Sequence, residues 1–376
     1  MKEENDFSRT GSLPTGEGGG RGLFISKTES QAMRGIAILA IVLHNYCHWP
    51  GKMVQENEYQ FSERNVRRLM VEVAHPSWEL ISHLLSFFGH YGVPVFVFLS
   101  AYGLVMKYEK SPLAVEGKEE GAWSFIWKHY KKLFLMMIVG YSAYVMVDYM
   151  TPGPRRYEFW NVVGQLGMIS NFYRDPDHDI WPGPYWYFGL IVQIYVVYRL
   201  VFYPQKLRTN KWLIGVLFAV TLLAQLFFLP EGLALQWYRY NVFGSLPVFI
   251  AGVLFARHNR FIEPTRTTYI GLAIASTALI FLFSLGFATW IIVPFLICIG
   301  TVAIVKILPQ SLLNSLSWVG GISASMFVCH PITRKVIIPI SRHGDLFAGL
   351  LLYLVATIVL AMVFSRFFRR DWRKSN

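Results

Sequence analysis

The sequence predicts an all-α membrane protein, a polytopic bundle of about ten transmembrane helices with N- and C-termini both cytoplasmic. Three observations carry that prediction. Of the 376 residues, 54% are hydrophobic and only 15% charged, more apolar surface than a soluble chain of this size can hide from water. Apolar runs of about 20 residues, the length that crosses a bilayer core, recur along almost the whole chain. The runs are continuously apolar, whereas strands of a membrane barrel would alternate lipid-facing and lumen-facing positions.

Taken in order, residues 1–30 are polar and Gly-rich, with no apolar core of the kind a signal peptide needs, and are expected to form a disordered cytoplasmic tail ahead of a membrane domain at 31–376. Ser30 is a candidate N-cap for the first helix, which would start near Gln31. The expected spans are 33–49, 81–106, 129–149, 184–203, 211–229, 240–257, 268–285, 287–307, 315–338 and 347–367. Two connections are long. Residues 50–80 mix Glu with Arg and read as an outer surface helix, and residues 150–183 are rich in Pro, Asp and aromatics. Connections of that length in a compact bundle are more often functional than idle. No internal repeat is evident, so the inverted-repeat signature of many transporters is missing.

The formal charge of +12 would suit nucleic acid in a soluble chain, but here its distribution follows topology, and lipid is the expected partner. Lys2, Arg9, Arg21 and Lys27, then Lys107 to Lys132, Lys206 to Lys211, Arg257 to Arg266 and Arg366 to Lys374 all fall inside when the N-terminus is cytoplasmic. The opposite loops, with Arg64, Arg67, Arg68, Arg155, Arg156, Arg334 and Lys335, hold about half as many basic residues. Cys47, Cys298 and Cys329 lie within spans and read as small apolar core residues, not as a disulfide or metal framework.

An ionisable group inside a span costs several kcal/mol, so each is a functional candidate. Arg34 sits at the inner end of the first helix, and His44 lies ten residues on, roughly 15 Å deeper at 1.5 Å per residue. Asn45 is closer to the face of Arg34, and His48 follows His44 by one turn. His90 and His330 fall at comparable depth on the second and ninth spans, so histidines from three helices are expected to converge. Each candidate also has a plainer reading. His44 can be a packing histidine bonded to a backbone carbonyl, Arg34 a snorkelling anchor, and Lys128, Lys131 and Lys132 topology signals on lipid phosphate. Ser323 and Ser325 suit close helix packing, and Trp181 and Trp186 an interfacial aromatic belt. Asp175, Asp177, His178 and Asp179 have metal-site chemistry, but so tight a run implies no ligand geometry and reads as a solvated loop. No metal site is expected.

Four motifs in order resemble one family, the acyltransferase 3 type of integral-membrane O-acyltransferases. Met33-Arg34-Gly35-Ile36-Ala37-Ile38-Leu39 followed by Ile41-Val42-Leu43-His44 is similar to its opening helix, and Gly92-Val93-Pro94 through Ser100-Ala101-Tyr102 to its second. Trp186-Tyr187-Phe188 with Tyr195 looks like its Trp-initiated middle helix. Ile322-Ser323-Ala324-Ser325 through Cys329-His330-Pro331 resembles its Ser-rich ninth helix. The likeness runs from residue 31 to about 370. It departs from the family pattern in three places. Nine residues instead of ten separate Arg34 from His44, which turns His44 by about 100° and makes His48 a competitor; lysines stand where arginines are common before the third helix; and Ile191 and Val192 replace an acidic residue.

The resemblance implies transfer of an acyl group, acetyl above all, from a coenzyme A thioester to a hydroxyl of a glycan or lipid-linked sugar, in a multi-pass protein of the cell inner membrane. His44 would be the base, and Ser100, Tyr102, Ser323, Ser325 and His330 would orient it or stabilise the oxyanion. Arg34, Lys128, Lys131 and Lys132 would hold the phosphates of acetyl-CoA, a substrate and not a resident cofactor. The rival is a transporter using the same histidines as a proton relay.

Overall fold

The computed structural model describes residues 24–49, 52–110, 120–155, 157–258 and 264–374, with side chains as far as Phe367 and without those of residues 206 and 207. The expected tail up to position 23, Lys118, Arg156, Arg260 and the side chains of Lys206 and of the basic residues after Phe367 lie outside what is described.

All regular structure among the described residues is helical. Helix α1 (Lys27–Cys47) starts earlier than expected because Ser26, not Ser30, caps it. The Ser26 hydroxyl accepts from the Glu29 amide at 3.2 Å while the Glu29 carboxylate accepts from the Ser26 amide at 2.7 Å, which satisfies two donors that the helix itself leaves unpaired. Helix α2 (Glu63–Ala74) is the surface helix expected in the first long connection; its inner face buries Asn65 and Leu69. There follow α3 (Leu80–Tyr108), α4 (Ala122–Met150), α5 (Phe159–Leu166), α6 (Gly183–Phe202) and α7 (Lys211–Phe227). The chain continues through α8 (Leu233–Tyr240), α9 (Val242–His258), α10 (Arg266–Phe283), α11 (Val293–Ile307), α12 (Gln310–Gly321), α13 (Ser323–Ser341) and α14 (Leu346–Lys374).

Five of these, α3, α4, α6, α10 and α14, are long and apolar enough to cross a membrane, and the number rises to seven if the bent pairs α8/α9 and α12/α13 each count as one span. All ten expected runs fall on helices. The sequence count is higher because α7 and α11 are short and the apolar part of α1 is interrupted by Gln31, Arg34, His44 and Asn45. The outer surface is what lipid requires: Leu351, Leu352, Val355 and Val359 on α14 and Ile274 and Leu282 on α10 stand exposed, while much of the polar side-chain chemistry points inward.

The expected ninth span is not straight. It breaks by 68° between α12 and α13 at a Gly320-Gly321 pair, the kind of sequence at which helices kink. Beyond the break, α12 lies along the first half of α1. A Cβ built on Gly35 would sit 2.1 Å from the Leu316 carbonyl oxygen, and one on Gly320 would sit 1.8 Å from the Gln31 carbonyl oxygen, so the two backbones touch through paired glycines. α3 and α13 also pack on α1, which makes α1 the axis of the bundle.

At the Tyr108 end of α3, Glu109 joins three elements. Its fully buried carboxylate accepts from Arg257 of α9 at 2.9 Å through both oxygens and from Arg208 at 3.1 Å, and the Tyr198 hydroxyl donates to it at 3.2 Å. Glu109→Ala is expected to destabilise the fold by about 3–5 kcal/mol, because the largely buried Arg257 guanidinium then loses its only carboxylate partner among the described residues. Thermal unfolding in detergent, compared with the double variant that also removes Arg257, checks this: the double variant should recover part of the loss.

Candidate active site

α1 carries its polar residues on the side toward α3, α4, α6 and α13, and between them lies a cavity of about 390 Å³. That is the size of a small-molecule site. One part of its wall is Arg34 with Lys132 of α4 and Tyr195 of α6; another is His44, Asn45 and His48 with His90 of α3 and Arg334 of α13. Ser100, Tyr187 and Ser323 also line it, and Glu56, Glu58 and Asp177 reach it from the two long connections.

His44 is held by its neighbour's backbone. Its Nδ1 lies 2.7 Å from the carbonyl oxygen of Ser86, and since a carbonyl can only accept, Nδ1 carries the proton and Nε2 keeps its lone pair. α3 comes this close because position 89 is glycine: a Cβ there would lie 2.4 Å from the Cβ of His44 and 2.7 Å from the Ala40 carbonyl oxygen. The ring centroid of His44 is 5.5 Å from that of His48 and 5.5 Å from that of His90. His90 is buried, with neither ring nitrogen hydrogen-bonded among the described residues.

Residues 52–62 fold back over this cluster. Ser86 Oγ donates to the Val54 carbonyl at 2.7 Å, and the buried Met53 and Val54 anchor the strap. His48 Nδ1 meets Glu56 Oε2 at 2.7 Å. Tyr59 donates to Glu58. Burial, then the nearby charge of Glu56, pushes the Glu58 carboxyl well above the ordinary range, and burial likewise raises Asp177. Glu56 goes the other way. Burial alone would raise it, but the attraction of the His48 imidazole in contact with it, with further help from His44 and His90, holds it below its ordinary value. A depressed carboxyl contributes stability that is present above the unfolded pKa, near 4.5, and is lost as pH falls below that value toward the folded one. Glu56→Gln is therefore expected to lower the melting temperature at pH 7, by the equivalent of about 2 kcal/mol, and to lose that effect progressively below about pH 4. Melting curves of both proteins across that range check the sign. Ligand atoms of His44, His48 and Glu56, and likewise of His44, Glu58 and His90, fall within 4.8 Å of one another, so either trio has donors and spacing that a metal ion could use.

Of the residues singled out in the sequence, Arg34, His44, Ser100, Lys132 and Ser323 share the cavity. Others do not. Lys128 is exposed, 3.9 Å from Glu120, and Lys131 lies over the Trp127 ring at 5.8 Å; of the three only Lys132, itself exposed, borders the cavity. Tyr102 donates to the Ile25 carbonyl at 3.1 Å and braces the start of α1. Ser325 is buried in helix packing. His330 is on the same face of α13 as Ser323 and Phe327 but is wholly buried outside the lining, its ring 5.6 Å from that of Phe327; the converging histidines are His44, His48 and His90. Trp186, read as an interfacial residue, is instead buried at the cavity wall, with its ring 5.1 Å from Tyr59 and 4.9 Å from Tyr240. The run at Asp175–Asp179 is a loop in which His178 bonds Asp175 at 3.0 Å, and only Asp177 reaches the cavity.

Sequence reasoning missed Glu56, Glu58 and Arg334 as site residues. Their signal was present only as charge on loops and helix ends called outer, which is where charge is least diagnostic. Compared with known protein families, residues 28–366 match the acyltransferase 3 family, described as an acyltransferase domain. No curated protein and no solved structure matches the chain.

Proposed function

This chain belongs to the acyltransferase 3 family of membrane acyltransferases, and from that premise we propose that it moves an acyl group, acetyl in the first instance, from coenzyme A to a hydroxyl of a glycan or lipid-linked sugar. The observation that carries the reading is the single cavity that has a cationic wall at Arg34 and Lys132 and a bare imidazole nitrogen at His44. Anionic phosphates suit the first, an alcohol proton the second, and roughly 15 Å of helix separates them, an interval for the pantetheine arm.

In this scheme the acceptor oxygen attacks the thioester carbonyl carbon while its proton passes to His44 Nε2. The tetrahedral intermediate, with hydroxyls of Ser100 and Ser323 in the same cavity as donors to its oxyanion, then collapses. The C–S bond breaks, and the sulfur of coenzyme A leaves with the proton returned from the imidazolium. We place the Arg34 wall on the cytoplasmic side of an inner membrane, with both termini there and about ten crossings once the short helices α7 and α11 and the charged α1 are counted. Glycan O-acetylation fits the outer strap of Glu56 and Glu58 and the tryptophans around it. A transporter has no need of a thioester-length cavity between a cation pair and a base, and the family match favours the enzyme. The test is to supply purified protein with labelled acetyl-CoA and follow release of free coenzyme A; no release that depends on His44 overturns the proposal.

A further inference from the structure

Arg334 stands out among the cations of the bundle. It lies on α13, is nine-tenths buried, and lines the cavity beside His44. The next residue, Lys335, is neutralised by Asp148 at 2.6 Å. Arg334 has no such partner among the described residues: its one hydrogen bond goes to the neutral Asn45 Oδ1 at 2.6 Å, and its guanidinium rests over the Trp49 ring at 4.7 Å. Asn45 cannot turn to offer more, since its amide nitrogen donates to the Ile41 carbonyl at 3.0 Å. No cavity carboxylate bonds it directly: Glu56 is paired with His48, Glu58 accepts from Tyr59, and Asp177, whose carboxyl feels the charge of Arg334, forms no contact ion pair with it among the described residues.

None of the guanidinium nitrogens is sealed off without a partner, so the donors that Asn45 leaves free face the cavity, where an anion has room to take them. In the acyl-transfer reading the donor's phosphates go elsewhere, to Arg34, eleven residues before Asn45 on α1, and to Lys132 of α4. We propose that Arg334 is the anion-reading residue of the acceptor site, so that the acceptor carries a carboxylate or phosphate near the hydroxyl to be acylated: an acidic sugar or a sugar phosphate, and not a neutral sugar. This rests on the acyl-transfer reading for its purpose, though not for its binding chemistry. The fork of Arg334 fits either anion bidentately, and the Trp49 ring beneath it holds the plane of the fork.

The test uses the full chain in nanodiscs and three probes: methyl glucuronide, glucose 1-phosphate and methyl glucoside. Binding is read by isothermal titration calorimetry and by the fluorescence of the tryptophans around the cavity. At least one charged probe is expected to bind about tenfold more tightly than methyl glucoside or better, and Arg334→Gln should erase that preference. Which charged probe wins distinguishes a carboxylate from a phosphate source. Arg334→Lys, which keeps charge without the fork, should retain part of the preference and answers the objection that the Gln variant merely misfolds. The proposal is overturned if methyl glucoside binds as tightly as the charged probes, if none of the three binds, or if the Gln variant keeps the preference. Should the preference depend on Arg334 while acetyl-CoA is never turned over, the anion subsite stands and the acyl-transfer reading falls.

Discussion

Replacing His44 by alanine is expected to lower acyl transfer by about a thousandfold, with protein yield and melting temperature nearly unchanged. The magnitude is that of losing a positioned base whose lone pair faces the reacting hydroxyl, and the small structural effect follows from the place of the side chain on a cavity wall. His48→Ala separates the two candidates. In His48 the Nδ1 nitrogen is engaged by Glu56 at 2.7 Å, so this residue supports the strap; its loss should cost stability and at most about tenfold in rate. Initial rates of coenzyme A release for both variants, at saturating donor, check the order. A larger loss for His48 than for His44 would reverse the assignment.

Gly320→Val is expected to abolish the folded protein outright. The new Cβ alone would lie 1.8 Å from the Gln31 carbonyl oxygen, and the atoms it meets are backbone on a helix that cannot withdraw without giving up its own hydrogen bonds. Overpacking of side chains costs about 1–3 kcal/mol because side chains yield; backbone against backbone leaves no such relief. Gly321→Val, one residue on, meets nothing within 4 Å and should be tolerated. The contrast in membrane-inserted yield and in detergent melting temperature tests whether the α1/α12 contact, not glycine flexibility at the bend, is what the position requires.

Much of the fold was legible because lipid as a solvent leaves few alternatives: a continuously apolar run is a helix, and ten such runs were found where helices occur. Hydropathy cannot see where two backbones touch, so the break at Gly320-Gly321 was read as a straight span. The start of α1 is legible in Ser26-Lys27-Thr28-Glu29, a capping-box sequence, although Ser30 lies nearer the apolar run. In the site, Arg34 and His44 were recoverable because a charge inside a span is conspicuous. Arg334 was hidden by its count among loop charges. The missing tenth residue between Arg34 and His44 matters less than helical phase suggested, since the cavity is wide enough to take positions 44 and 45 together.

Ser86 acts through two different atoms. Its hydroxyl pins the strap at Val54, but the oxygen that fixes the His44 proton belongs to the main chain, and every amino acid supplies one. Ser86 is fully buried, so Ser86→Ala, which removes only the hydroxyl, is the exchange that reports on the lid alone. That exchange can loosen the cover without disturbing which nitrogen of the imidazole is bare, so access to the chamber and its proton chemistry are set by separate atoms of one residue.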